Sequence, residues 1–100
     1  MSSPLVTCVC PTYKRPQLLQ NALACFLAQE YERKHLIILD DAGQFGEQSG
    51  DNWVLHTAQS RFHTLPAKYN ALAELVSPDT EIIAVWEDDD VYLPHHLTAL

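Results

Sequence analysis

Positive charge is scarce in this chain: six lysines and arginines stand against thirteen aspartates and glutamates, for a net charge of −7. A protein that grips a nucleic-acid backbone needs a basic face, so this balance excludes that class. A small anionic ligand stays compatible provided a metal or local cations mediate. Long hydrophobic runs are missing too. None approaches the roughly 20 residues of a spanning helix, so no membrane span is expected. Met1-Ser2-Ser3-Pro4 has neither a basic n-region nor an apolar h-region, so no signal peptide is read there and a reduced, cytoplasmic setting is the expectation. Cysteines number three, Cys8, Cys10 and Cys25. An odd count without framework spacing excludes a disulfide scaffold. Cys8 and Cys10 share one face of a strand and read as small buried hydrophobes. Repeats, low-complexity segments and internal linkers are absent.

What is present is the make-up of a globular protein, 47% apolar and 19% charged. One hundred residues, 1–100, make one domain able to enclose a single core. Leu5 to Cys10 reads as a strand closed by Pro11. Pro16 suits the first turn of a helix, in which Leu18, Leu19, Ala22, Leu23, Phe26 and Leu27 recur at helical spacing through Gln29. Leu36 to Leu39 is a continuous apolar run, as in a strand buried on both faces, and Asp40-Asp41 end it. The stretch from Ala42 to Asn52 holds all three glycines and reads as a loop. Trp53 to His56 forms a short strand. Leu65-Pro66 starts a second helix with a stripe of Tyr69, Leu72, Ala73 and Val76, ended by Ser77-Pro78-Asp79. Glu81 to Trp86 is a fourth strand, and Pro94 to Leu100 the opening of another helix. The order predicts an α/β fold, a Rossmann-like, mainly parallel sheet with flanking helices.

The acidic run Glu87-Asp88-Asp89-Asp90 directly follows that fourth strand. Adjacent carboxylates repel, and they stay ionised when a cation or strong donors compensate them. Hard oxygen ligands suit Mg²⁺, Mn²⁺ or Ca²⁺. Two other strand ends carry polar clusters, Pro11-Thr12-Tyr13-Lys14-Arg15 and Asp40-Asp41. In a parallel sheet the carboxyl ends of strands lie along one edge, so all three clusters are expected to converge there on a nucleotide-type ligand.

These residues carry a resemblance. Val9 to Pro16, Leu36 to Asp41, Ala67-Lys68-Tyr69-Asn70 and Trp86 to Pro94, in this order, resemble the N-terminal, nucleotide-binding part of a family 2 glycosyltransferase of the GT-A fold, truncated after the DXD signature. The resemblance implies an enzyme, with Pro11, Thr12, Tyr13 and Arg15 walling the base and ribose of a nucleotide-diphosphate sugar. It implies that Asp41 accepts a hydrogen bond from the base and that Lys68 lies near base or phosphates. It places Asp88 toward the ribose or a metal, and makes Asp89 the ligand of a divalent cation, Mg or Mn, with Asp90 beside it. The run can be registered two ways, which leaves Glu87 and Asp90 open. Tyr69 stands where a second basic residue is common, and Glu87 where Asp is frequent. The general base of such a transferase lies well beyond the signature. No catalytic residue is therefore nominated, and the isolated chain is expected to bind donor without turning it over, its acceptor unspecified. Exposed sheet edges are expected to drive self-association.

Two other readings stay open. A receiver-type phosphoacceptor domain also gathers aspartates around Mg²⁺, but it gives Pro11 to Arg15 no role. A non-catalytic nucleotide-binding module is the other. Among the remaining residues, His95 and His96 read as a solvated pair, and His35, His56 and His63 as structural. Trp53 and Trp86 read as core, and Lys34 and Arg61 as solvated charges.

Overall fold

The computed structural model describes residues 4–43, 45–88 and 92–98. In chain order the elements are β1 (Val6–Thr12), α1 (Pro16–Leu27), β2 (Lys34–Asp40), β3 (Gln48–Ser49), β4 (Trp53–Thr57), α2 (Leu65–Leu75) and β5 (Ile82–Val85). They build a five-stranded sheet in the order β3-β4-β2-β1-β5. All pairings are parallel except that of the two-residue β3 with β4. This is the α/β fold expected of the alternating pattern.

The chain moves outward from β1 to β2 to β4, then returns through α2 to lay β5 on the other side of β1. Parallel crossovers are right-handed in nearly all proteins, so reversing direction sends the second helix to the opposite face. The two core clusters are divided accordingly. Leu19, Ala22 and Phe26 of α1 pack on Val6, Cys8, Cys10, Leu36, Ile38 and Leu55. Leu72 of α2 packs on Val9, Ile37 and Leu39. Alternate residues of β1 and β2 therefore feed opposite layers, which accounts for the unbroken apolar run of β2.

Several elements differ from their expected bounds. β1 continues through Pro11 to Thr12 rather than closing at Pro11. The Val9 carbonyl accepts the Trp86 N–H at 2.9 Å on the β5 side. Pro11, two residues on, faces the same way but lies past the end of β5 pairing, where a missing N–H costs nothing. α1 stops at Leu27, before Gln29, with Leu18 and Leu27 exposed, because the buried stripe at i, i+3 and i+7 is only Leu19, Ala22 and Phe26. Within the expected loop, Gln48 and Ser49 pair with β4. Residues 94–98 form turns rather than a helix. They are drawn back onto the segment just after α1, where Gln29 Nε2 donates to the Leu93 carbonyl at 2.7 Å and Gln29 Oε1 accepts from Leu97 N–H at 2.9 Å.

Candidate functional site

The reversal of strand direction opens a crevice at the carboxyl ends of β1 and β5, the place where open α/β sheets take ligands. Pairing aligns Thr12 with Asp40 and Asp40 with Thr57, so these strand ends share one edge. Thr12 ends β1 with its hydroxyl buried, and it donates to Asp88 Oδ2 at 2.9 Å. Arg15, just before α1, reaches Asp88 Oδ1 at 3.3 Å. Both carboxylate oxygens of Asp88 are thus held by groups from β1 and the start of α1.

Asp40 and Asp41 take different roles, since adjacent residues at a strand end point to opposite sides. Asp40 is fully buried, and its Oδ1 accepts the Ala42 N–H at 3.0 Å, closing its own turn. Asp41 faces α2. Its Oδ1 accepts from the Lys68 ammonium at 2.6 Å and its Oδ2 from the Phe62 N–H at 2.8 Å. Lys68 lies one turn before Leu72 on the buried face of α2, and only 5% of it is exposed. Its ammonium also donates to the Thr12 carbonyl at 2.6 Å. One cation therefore ties α2 to the ends of β1 and β2. Burial by itself pushes the Asp41 carboxyl upward, but the Lys68 hydrogen bond, the Phe62 N–H and the Lys68 charge outweigh it and hold the group below its ordinary 3.8. Helix α2 starts cleanly at this edge because Thr64 caps it, accepting the Ala67 N–H at 3.2 Å.

Two adjoining cavities open here. One, of about 320 Å³, is lined by Pro11, Thr12, Arg15, Tyr69, Glu87 and Asp88. The other, of about 620 Å³, is lined by Asp41, Phe62, His63 and Thr64. Tyr13, Arg61, Leu65 and Lys68 line both. Volumes in this range suit small ligands.

The structure brings Pro11, Thr12, Tyr13, Arg15, Lys68 and Asp88 to the first cavity and Asp41 to the second. Asp89 and Asp90 lie outside the described residues. Among the described residues no group of three or more His, Cys, Asp or Glu gathers as a metal cluster. The donor chemistry nonetheless fits a hard cation in kind, since the carboxylate residues Glu87 and Asp88 line the first cavity.

Sequence reasoning missed Arg61, read there as a solvated charge. Its guanidinium lies 4.0 Å over the Tyr13 ring. The overlooked signal is positional: the loop after β4 leaves the same carboxyl edge as the other three strand ends. Lys34 is also not simply solvated. Its ammonium donates to the Gln29 carbonyl at 2.7 Å and lies 5.2 Å from the Phe26 ring. His96 packs edge-on against Tyr92 and Trp86, at 4.9 and 5.8 Å between ring centroids, rather than standing in solvent.

The family model described as Glycosyl transferase family 2 matches residues 7–100. No curated protein matches the chain. Among solved structures, the mannosyltransferase PcManGT from Pyrobaculum calidifontis, in complex with GDP-Man and Mn2+, is similar at 20% identity and a TM-score of 0.39 over 98% of this chain. The chain spans 24% of that protein's length. No helix among the described residues is long and apolar enough to cross a membrane.

Proposed function

The chain belongs to glycosyl transferase family 2, and on that premise we propose that it forms the donor-binding part, of GT-A type, of a metal-dependent transferase acting on a nucleoside-diphosphate sugar. The observation that carries this reading is the meeting of Thr12, Arg15, Lys68 and Asp88 around adjoining cavities at the carboxyl edge of the sheet. That site can hold an anion while its own carboxylates stay compensated. The family match favours the transferase over the receiver-type alternative.

The base is assigned to the cavity beside Asp41 and Phe62, with Tyr13 as its wall; Thr12 and Arg15, which the resemblance implied for base and ribose, line the other cavity and are assigned to the diphosphate instead. Asp41 keeps lone pairs beyond the two hydrogen bonds it accepts, so it can take one more from a base N–H. Lys68, already anchored, contributes fixed positive charge at the junction of the two cavities. Asp89, with Asp88 and Asp90, is assigned to hold a divalent cation, Mg or Mn. When bound, the cation offsets negative charge growing on the departing diphosphate. In the transfer, the acceptor hydroxyl oxygen bonds to the anomeric carbon. The bond from that carbon to the diphosphate breaks, and the hydroxyl proton passes to a base. We assign that base outside these 100 residues, so this chain alone binds donor without turnover and the acceptor is selected elsewhere.

Thermal unfolding in the presence of uridine or guanosine diphosphate tests the reading. A rise in melting temperature that needs Mn²⁺ or Mg²⁺ is expected. No stabilisation by either nucleotide with either metal would count against the donor site.

A further inference from the structure

Arg61 stands apart from the other cations of the site. Arg15 is 3.3 Å from Asp88, and Lys68 is 2.6 Å from Asp41. Arg61 has no ion pair among the described residues. What holds it is the ring of Tyr13, 4.0 Å beneath its guanidinium carbon. Stacking uses the flat face of a guanidinium and leaves its N–H edge open for a second partner. The ring also limits the rotamers of an otherwise exposed side chain, so less entropy is lost when the edge is used.

Its place gives that edge a target. Arg61 and Tyr13 belong to the wall shared by both cavities. A ligand with its base beside Asp41 and Phe62 and its phosphates beside Thr12 and Arg15 must pass this wall. The phosphate end enters a cavity that also holds Glu87 and Asp88. Arg15 and Lys68 are each paired with a carboxylate, which leaves Arg61 as the cation of this wall without an ion pair among the described residues. We propose that Arg61, held over the Tyr13 ring, donates charge-assisted hydrogen bonds to the diphosphate and sets the preference of the site for nucleoside diphosphates over monophosphates. The inference rests on the donor-site reading above and deepens it.

Isothermal titration of this chain with uridine and guanosine di- and monophosphates, all with Mg²⁺, tests it. Arg61→Ala is expected to weaken diphosphate binding about tenfold or more while changing monophosphate binding about twofold or less. Arg61→Lys, which keeps charge but loses the planar fork, should fall between. Tyr13→Ala should also reduce the di- over monophosphate ratio, because it removes the platform. Arg61 is an exposed loop residue, so its variants are expected to fold. Unchanged diphosphate affinity in Arg61→Ala, or an equal loss for both phosphate classes, would overturn the role of Arg61 and leave the donor site standing. Failure of the unaltered chain to bind any of the four nucleotides would overturn the donor-site reading itself.

Discussion

At the scale of single residues, the site depends on Lys68. A lysine on the buried face of a helix is costly unless fully partnered, and here Asp41 and the Thr12 carbonyl partner it at 2.6 Å each. Lys68→Met leaves Asp41 buried without its cation and should cost about 3–5 kcal/mol, read as a lower urea midpoint. Lys68→Met combined with Asp41→Leu should recover much of that loss. The pair also sets an acid dependence. The Asp41 carboxyl is held below its ordinary 3.8 in the folded chain. Its contribution is therefore full above that value and is lost as pH falls through the lowered folded value. Urea midpoints measured downward from about pH 4 should fall more steeply in the unaltered chain than in Asp41→Asn. The resemblance marked Lys68 and Asp41 as a basic and an acidic site residue, yet their pairing was not legible. It depends on α2 turning Lys68 toward the end of β2, a contact 27 positions apart that no local pattern encodes. The place of Arg61 after β4 was a readable signal, but its contact with the Tyr13 ring, on another strand end, was not.

At the scale of elements, the described segments that flank the acidic run are both held in place. Before it, Trp86 is fully buried, and its indole N–H donates to the Ala22 carbonyl of α1 at 2.9 Å. After it, Tyr92 stacks on Trp86 at 3.8 Å, and Gln29 and Glu30 bind Leu93, Leu97 and the Pro94 carbonyl. Gln29→Ala should therefore cost about 1–3 kcal/mol, chiefly through the unpaired buried Leu97 N–H, read as a lower melting temperature. Trp86 and its strand were readable from the apolar run and the acidic boundary. The turns at 94–98 were not, because Pro94 suits a helix start and only the distant Gln29 redirects the chain. β3 was hidden as well: two residues carry no periodicity, and only the return of the chain along β4 reveals them. The Cys8 and Cys10 reading rested on strand alternation and survives intact, with both side chains fully buried. Burial pushes the Cys8 thiol up to about 12 and raises Cys10 further, with Asp88 adding to the effect there. Brief alkylation of the folded chain should thus modify Cys25 alone, and denaturation should expose all three thiols. Mass spectrometry of the adducts checks this.

At the scale of the whole molecule, one topological event creates the site: β5 returns to the free side of β1, and four strand ends come to surround one crevice. The alternation of elements already pointed to a parallel sheet, and polar clusters after apolar runs pointed to its active edge. The order of strands had to come from the structure. β5 is also an edge strand, with Ile83 and Val85 half exposed on it. An unpaired edge bearing apolar side chains invites pairing with another copy. Light scattering is expected to show self-association that rises with concentration, reduced by Ile83→Lys. A clean monomer at high concentration would contradict it. On the proposed donor-site reading, the carboxyl edge between β1 and β5 receives a nucleoside diphosphate. Backbone amide NMR during a titration with uridine diphosphate and Mg²⁺ reads this residue by residue. Saturable shifts are predicted at 12–15, 61–68 and 87–88, with the far end of α1 and β3 unmoved. Shifts confined to other surfaces, or none up to millimolar nucleotide, would contradict the account.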